Sequence, residues 1–349
     1  MRLLFHIFLA IAALCPILPG QLKAQDSTHV ITAKEIKQKK NFPLLAGGSL
    51  SVAPHFSSEM GPGAAFSYTG KTPVSAIGNI TAKGYLLLGL AAKGETRDNK
   101  WKYSGSIFYN YTPSYFWGLG YRQAENSSAK TKYHQKKFRI QGEIAYRFTP
   151  KFSAGPSIGY EWVKWEDFLN SSVRSSLLDY GFFAEYEGRD HITNPSGGFH
   201  AVLRQRNWSN LSGSTSLQYS GYGKVWDGGI LALDLYTIFT YGDIPVTMLP
   251  SVGGTERMRG YHYGRYRDNN VATAQIELRQ HIWNMIGGAV WAGCANLWGD
   301  YSKFRWGNTL PNFGIGTRIH LTDNICLRLD YGVGKRWQDA LILSINEAF

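Results

Sequence analysis

Residues 137–148 alternate in character: Lys, Arg, Gln, Glu, Ala and Arg at odd positions, and Phe, Ile, Gly, Ile, Tyr and Phe at even ones. In a β-strand these two sets point to opposite faces. The same period of two returns at 231–236, 272–279, 313–321 and 325–331. One such strand would suit a soluble sandwich equally well. Many of them, each about ten residues long, match what a tilted strand needs to cross a bilayer. Backbone groups in lipid must pair internally, so a chain that crosses as strands has to close on itself. The pattern divides the chain into segments at 61–70, 74–83, 84–93, 99–110, 113–123, 134–147, 151–163 and 177–187, then 197–207, 213–225, 228–241, 271–281, 287–297, 311–321, 324–334 and 340–349. The expectation is an all-β chain: a single transmembrane antiparallel β-barrel of about 16 strands, an even number as bacterial barrels prefer.

The N-terminus has another grammar. Arg2 precedes an apolar run over 3–14, then Pro16, Pro19 and Gly20, with Ala24 ahead of Gln25-Asp26-Ser27. This predicts a signal peptide over 1–24, since a membrane anchor would need about 20 apolar residues. Cys15, between Leu14 and Pro16, does not fit a lipidation site. A short periplasmic segment is expected over 25–42, basic at Lys34, Lys37, Lys39 and Lys40, and the barrel domain over 43–349.

Composition agrees. Of 349 residues 39 are Gly and 14% aromatic, with only 18% charged, which suits strands and turns better than helices. Aromatics gather near segment ends (Tyr109, Tyr111, Tyr115, Phe116, Trp117; Tyr160, Trp162, Trp165; Trp298, Tyr301) and are expected to form the interfacial girdles of a barrel. Removing Arg2 and Lys23 with the signal lowers the formal charge from +12 to +10. An exported chain with Lys and Arg spread along strands and loops is expected to present them to a lumen or to lipid headgroups. Nucleic acid is therefore not an expected partner.

The longest turn-rich insert, 242–270, contains Gly253-Gly254 and Met258-Arg259-Gly260-Tyr261, followed on the next segment by Glu277-Leu278-Arg279. A loop this long in a barrel is usually functional or folded inward. With it come 187–198, Glu-Gly-Arg-Asp-His-Ile-Thr-Asn-Pro-Ser-Gly-Gly, then Leu327-Arg328-Leu329-Asp330-Tyr331-Gly332, and a closing strand that ends in Phe349. In this order, over 177–349, the motifs resemble the BamA/TamA outer-membrane barrel superfamily, the bacterial surface antigen type. The resemblance implies a bacterial outer-membrane location and a loop tip tucked into the lumen, its Arg paired with inward carboxylates. It also implies Phe349 as an assembly signal.

Parity turns Asp234, Glu277, Arg279, Arg328 and Asp330 inward, and Asp330 and Glu277 are the partners expected for Arg259. Exchanging the charges of Arg259 and Asp330 is then expected to restore assembly in part. Two departures stand out. Gly293 occupies the place of an Asp in the family's F-x-D-x-G-N stretch, here Trp291-Ala292-Gly293-Cys294-Ala295-Asn296. Too few residues precede the barrel for the family's POTRA repeats.

The implied function is an accessory role in outer-membrane protein or lipid assembly or translocation, with a weak seam between first and last strands. The alternative is a passive pore or structural surface antigen that has lost insertase activity. Implied partners are outer-membrane lipid or lipopolysaccharide and periplasmic or outer-membrane assembly proteins. No enzyme is expected. Gly155-Pro156-Ser157-Ile158-Gly159 satisfies G-x-S-x-G but lies within an alternating strand, without the turn and helix of a nucleophile elbow. The nine His show no ligand spacing, so neither metal nor cofactor is expected. Cys294 should face lipid and Cys326 the lumen, on strands too far apart for a disulfide.

Overall fold

The alternation resolves into sixteen antiparallel strands: β1 (Ser49–Ser57), β2 (Gly61–Thr69), β3 (Val74–Thr81), β4 (Leu86–Glu95), β5 (Trp101–Phe116), β6 (Thr131–Arg147), β7 (Phe152–Asp167) and β8 (Ser172–Glu187). The second half adds β9 (Gly198–Trp208), β10 (Gly213–Trp226), β11 (Gly229–Tyr241), β12 (Asn270–Trp283), β13 (Ile286–Trp298), β14 (Leu310–Thr322), β15 (Ile325–Gly334) and β16 (Asp339–Ile345). Each pairs with its chain neighbours, and β16 pairs with β1 to close the barrel. This computed structural model describes residues 31–32, 49–69, 74–126, 130–167, 172–322 and 325–349. The expected signal peptide at 1–24, and the segment at 25–42 apart from Ile31–Thr32, lie outside the described residues. Ile31–Thr32 pairs with the start of β1.

The strand count agrees with the sequence, but two assignments do not. Residues 101–116 form one long strand rather than two segments, and 120–125 form a short helix, α1 (Gly120–Glu125). Pro113 lies within this strand, beyond Tyr111, where β4 ends its pairing with β5, so one edge there is free and proline is tolerated. β1 was not among the expected segments. Its Pro54 pairs with Ala64 of β2 on one side, while on the seam side only residues 56 and 57 meet β16.

The seam is the shortest pairing in the wall. Ile342 meets Ser57 and Leu343 meets Phe56. Ser58 adds a backbone N–H to the Leu341 carbonyl at 3.0 Å, and Leu341 donates to the Ser58 hydroxyl at 2.8 Å. By contrast, β5 and β6 stay in register from Trp101↔Tyr146 to Phe116↔Thr131.

Up-and-down order puts the C-terminus and the turns at 96–100, 148–151, 227–228 and 284–285 at one end. The insert at 242–269 and the segment carrying α1 lie at the other, here called the loop end. Short turns mark the periplasmic end of such barrels and longer loops the outer end. Outward positions are apolar and exposed, as at Ile140, Ile158, Tyr180, Phe182, Ile276 and Ile315, while inward positions on the same strands bury Glu161, Asp179, Glu277 and Arg318. Not all of the expected girdle faces lipid. Trp117, Trp165 and Trp298 are buried: Trp165 has inward parity and stacks on Tyr133, with ring centres 4.4 Å apart. Cys294 is exposed and Cys326 buried, with β14 between their strands.

Candidate functional site

The insert 242–269 turns back into the barrel and fills the loop end of its lumen. Val252, Met258, Tyr261 and Tyr266 from the insert form one apolar cluster with Val271, Ala295, Leu297 and Leu310 of the wall and Ala124 of α1. Burial of this much apolar surface anchors a segment that would otherwise cost considerable chain entropy to order. Gly253 and Gly254 adopt left-handed φ values, +105° and +129°, and reverse the chain toward the lumen. Met258 takes φ +51°, unusual for a side chain of its kind. Its backbone N–H is held by Gln275 Oε1 at 3.1 Å.

Close approach fixes the tip. Gly260 has φ +118°, and a Cβ there would stand 2.8 Å from the Gly332 carbonyl carbon. A Cβ on Gly332 would strike the Arg259 carbonyl oxygen in turn. Two glycines, one in the loop and one in β15, therefore let the backbones touch.

Arg259 is fully buried and fans onto two carboxylates, Asp330 of β15 at 2.6 Å and Glu277 of β12. Its guanidinium carbon lies over the Trp291 ring, 3.7 Å from the centroid. Trp291 donates its indole N–H to Asn312 at 3.1 Å, and the Asn312 amide donates to the Arg259 carbonyl. A planar, always-charged fork suits this slot of two carboxylates and one aromatic face. Tyr261 donates to the Pro311 carbonyl at 2.5 Å and accepts from the Lys335 N–H at 2.8 Å. Burial pushes its hydroxyl up to about 12, so it remains protonated and able to donate.

The sequence-predicted residues do not all serve Arg259. Asp234, fully buried on β11, instead holds Arg257 through two contacts of 2.6 and 3.0 Å and accepts from Ser220 at 2.8 Å. Arg279 pairs with Glu277 at 2.9 Å and reaches Glu347 at 3.5 Å. Four residues that parity alone did not single out complete the assembly. Arg318 of β14 bridges Asp330 at 2.6 Å, Glu277 at 3.4 Å and Glu347 at 2.8 Å. Glu347 lies beyond the last strand. Asn312 and Trp291 supply the polar and aromatic walls of the slot. Arg318 had inward parity in a clearly alternating segment; Glu347 had no periodic signal at all.

Asp330 thus serves three guanidinium groups, since Arg328 also reaches it at 3.0 Å. Exchanging Arg259 and Asp330 would set an arginine between Arg318 and Arg328, so the rescue expected from sequence does not follow. Gly293 leaves no gap in the lock either. A Cβ there would meet the Ala274 carbonyl at 2.8 Å, and the neighbouring Gln275 holds Met258.

The chain's end was expected to run as strand to Phe349, but β16 stops at Ile345. Asn346 turns with φ +64°, its N–H bonded to the Cys326 carbonyl at 2.6 Å. Glu347 and Phe349 then reach back to Arg279, which donates to the Phe349 carbonyl at 2.8 Å. The loop also grips the other side of the seam. Glu59, in the turn after β1, accepts from the Tyr263 N–H at 3.0 Å and stands 3.4 Å from His262. Ser157, the centre of the G-x-S-x-G match, is buried within β7.

A closed wall with an apolar outer band, a charged interior and a loop folded into the lumen defines an outer-membrane β-barrel. The sequence matches the Omp85 superfamily domain over residues 88–345, and the chain belongs to that superfamily, the one its motifs resemble. Among solved structures it is similar to BamA from Haemophilus ducreyi lacking POTRA domains 1–3, with a TM-score of 0.63 at 15% identity over 86% of this chain and 70% of that one. CdiB from Acinetobacter baumannii gives 0.61 at 12% identity, over 85% of this chain and 59% of that one. CdiB from Escherichia coli gives 0.56 at 9%, over 85% and 62%. The chain thus spans less than two thirds of either CdiB. At these identities the likeness is one of fold. No curated protein matches the sequence.

Proposed function

We propose that this barrel assists the insertion or translocation of protein or lipid at the outer membrane, with assembly partners, through its β16–β1 seam. The observation that carries the reading is the seam's two-residue register, set against the sixteen register pairs that join β5 to β6. Among the described residues the seam edge of β1 meets β16 only at 56 and 57 and Ile31–Thr32 at 49 and 50, and an edge open between such contacts is a template for another chain. The insert is placed to control it. Through Arg259 and Gly260 it holds β15, next to the seam on one side, and through Tyr263 and His262 it holds the turn after β1 on the other. Phe349, folded inward in the finished barrel, would be read as an assembly signal only on the unfolded chain.

Depletion of the protein followed by an outer-membrane proteome and a surface-lipid count tests this reading. Other barrels or surface lipids should fall. If both stay unchanged, the assembly role fails. A passive pore is the second reading, favoured by a lumen cavity of about 600 Å³ lined in part by Lys137, Glu161, Arg206 and Arg257. α1 weighs against it, because Arg265 donates to the Ala124 carbonyl at 3.0 Å and Tyr266 to Glu125 at 2.7 Å, roofing the insert at the loop end. Unchanged levels together with steady conductance in planar bilayers would favour the pore.

A further inference from the structure

Strand register sorts every Lys and Arg of the wall by face. Among the described residues, outward-facing positions of the sixteen strands carry Lys or Arg only on β6, β7 and β8, at Lys132, Lys136, Lys164 and Arg174. All four lie at the loop end. Three form one row: Lys136 sits opposite Lys164, and Lys164 opposite Arg174. Neighbouring strands are about 4.8 Å apart, so the row spans roughly 10 Å. Like charges directly opposite one another destabilise a sheet. The compensation is thin. Glu166 takes both lysines, at 2.9 and 2.6 Å, and Arg174, exposed, has no carboxylate partner among the described residues.

What lies beneath the row is apolar, apart from Ser176 opposite Trp162. One outward step down comes Phe138 opposite Trp162, then Ile140, Tyr160 and Leu178, then Ile158 opposite Tyr180. From Phe138 to Tyr146 the outward face of β6 runs about 27 Å along the strand, or roughly 21 Å along the axis at a tilt of about 40°. That approaches the ~25 Å apolar band of such barrels, so the cations stand just above its outer rim. Lys130 also lies at the loop end, its Nζ 4.8 Å from the centre of the Tyr115 ring.

We infer that Lys136, Lys164 and Arg174 form a docking site for a phosphate-bearing lipid of the outer leaflet. Its acyl chains would lie on the Phe138, Trp162 and Leu178 column and its phosphate on the row. Charge, height and the aromatic column select this occupant. A soluble anion would not need the column, and a neutral lipid would not need the row. The site is independent of any assembly activity.

The test uses the full-length barrel in phosphatidylcholine nanodiscs doped with phosphorylated lipid A or its dephosphorylated form, with lipid retained per barrel counted by mass spectrometry. The wild type should enrich the phosphorylated form. Its affinity should drop about fivefold for each basic residue replaced by Gln, through the series to K136Q/K164Q/R174Q. Equal enrichment in wild type and variant, or none over the dephosphorylated form, overturns the site. Where the triple variant does not form a heat-modifiable barrel, Arg174→Gln alone, which breaks no ion pair, gives the same reading.

Discussion

Arg259 is held by shape as much as by charge. Removing it would strand Glu277 and Asp330 in a buried wall, and loss of one partner from such a pair costs about 3–5 kcal/mol. Arg318, Arg279 and Arg328 share those carboxylates, which places Arg259→Ala near the lower end of that range in denaturant unfolding. Arg259→Lys should recover little of the loss, because a point charge cannot lie over Trp291 and reach both acids. If lysine restores full stability, the planar slot is not what matters. Gly332→Ala leaves every charge in place and is expected to free the tip by steric clash alone, read as protease cleavage within 253–264. Asp190 gives a separate check at the periplasmic turn. Burial would raise its carboxyl, but hydrogen bonds from the Ser196 hydroxyl and N–H outweigh this and hold it down to about 2. A depressed pKa stabilises the turn above the ordinary carboxylate range near 3.9, and the contribution fades as pH falls through about 2. Ser196→Ala should move the Asp190 side-chain titration upward; an unchanged midpoint would refute the assignment.

At the scale of strands and loops, period-two alternation carried most of the fold, because each wall residue meets either lipid or lumen. It failed where other rules compete. The segment expected at 113–123 splits between the end of a long strand and a short helix. Aromatic clustering at Phe116, Trp117 and Trp165 argued for a lipid girdle, although parity turned Trp165 inward. The Arg259 slot was legible in part, since Asp330 and Glu277 face inward by parity. Trp291, Asn312 and Arg318 required cross-strand register, and Glu347 lies past the last alternating residue. The seam makes the element-scale prediction. Amides of β1 and β16 should exchange with deuterium faster than those of β5 and β6, which pair with each other at sixteen positions. Uniform protection around the barrel would remove the weak seam.

Over the whole molecule, the insert, the C-terminal tail and the first turn form one connected structure around the seam. Arg259, Glu277, Arg318 and Glu347 link loop to tail, and Glu59 links the loop to β1. Middling hydropathy and a basic excess reflect this division: lipid outside, paired charge within and a cationic row at the outer rim. Belonging to the Omp85 superfamily gives the barrel its class, and the activity proposed for it runs through the seam. The most direct measurement places a reversible covalent bond across that seam. Ser57→Cys with Ile342→Cys, in a Cys294→Ser/Cys326→Ser background, should form a disulfide on oxidation because the two positions face each other in register. If the seam opens in use, oxidised cells should reproduce the outer-membrane defect of depletion, and reductant should reverse it. Full activity with the seam locked would contradict the account.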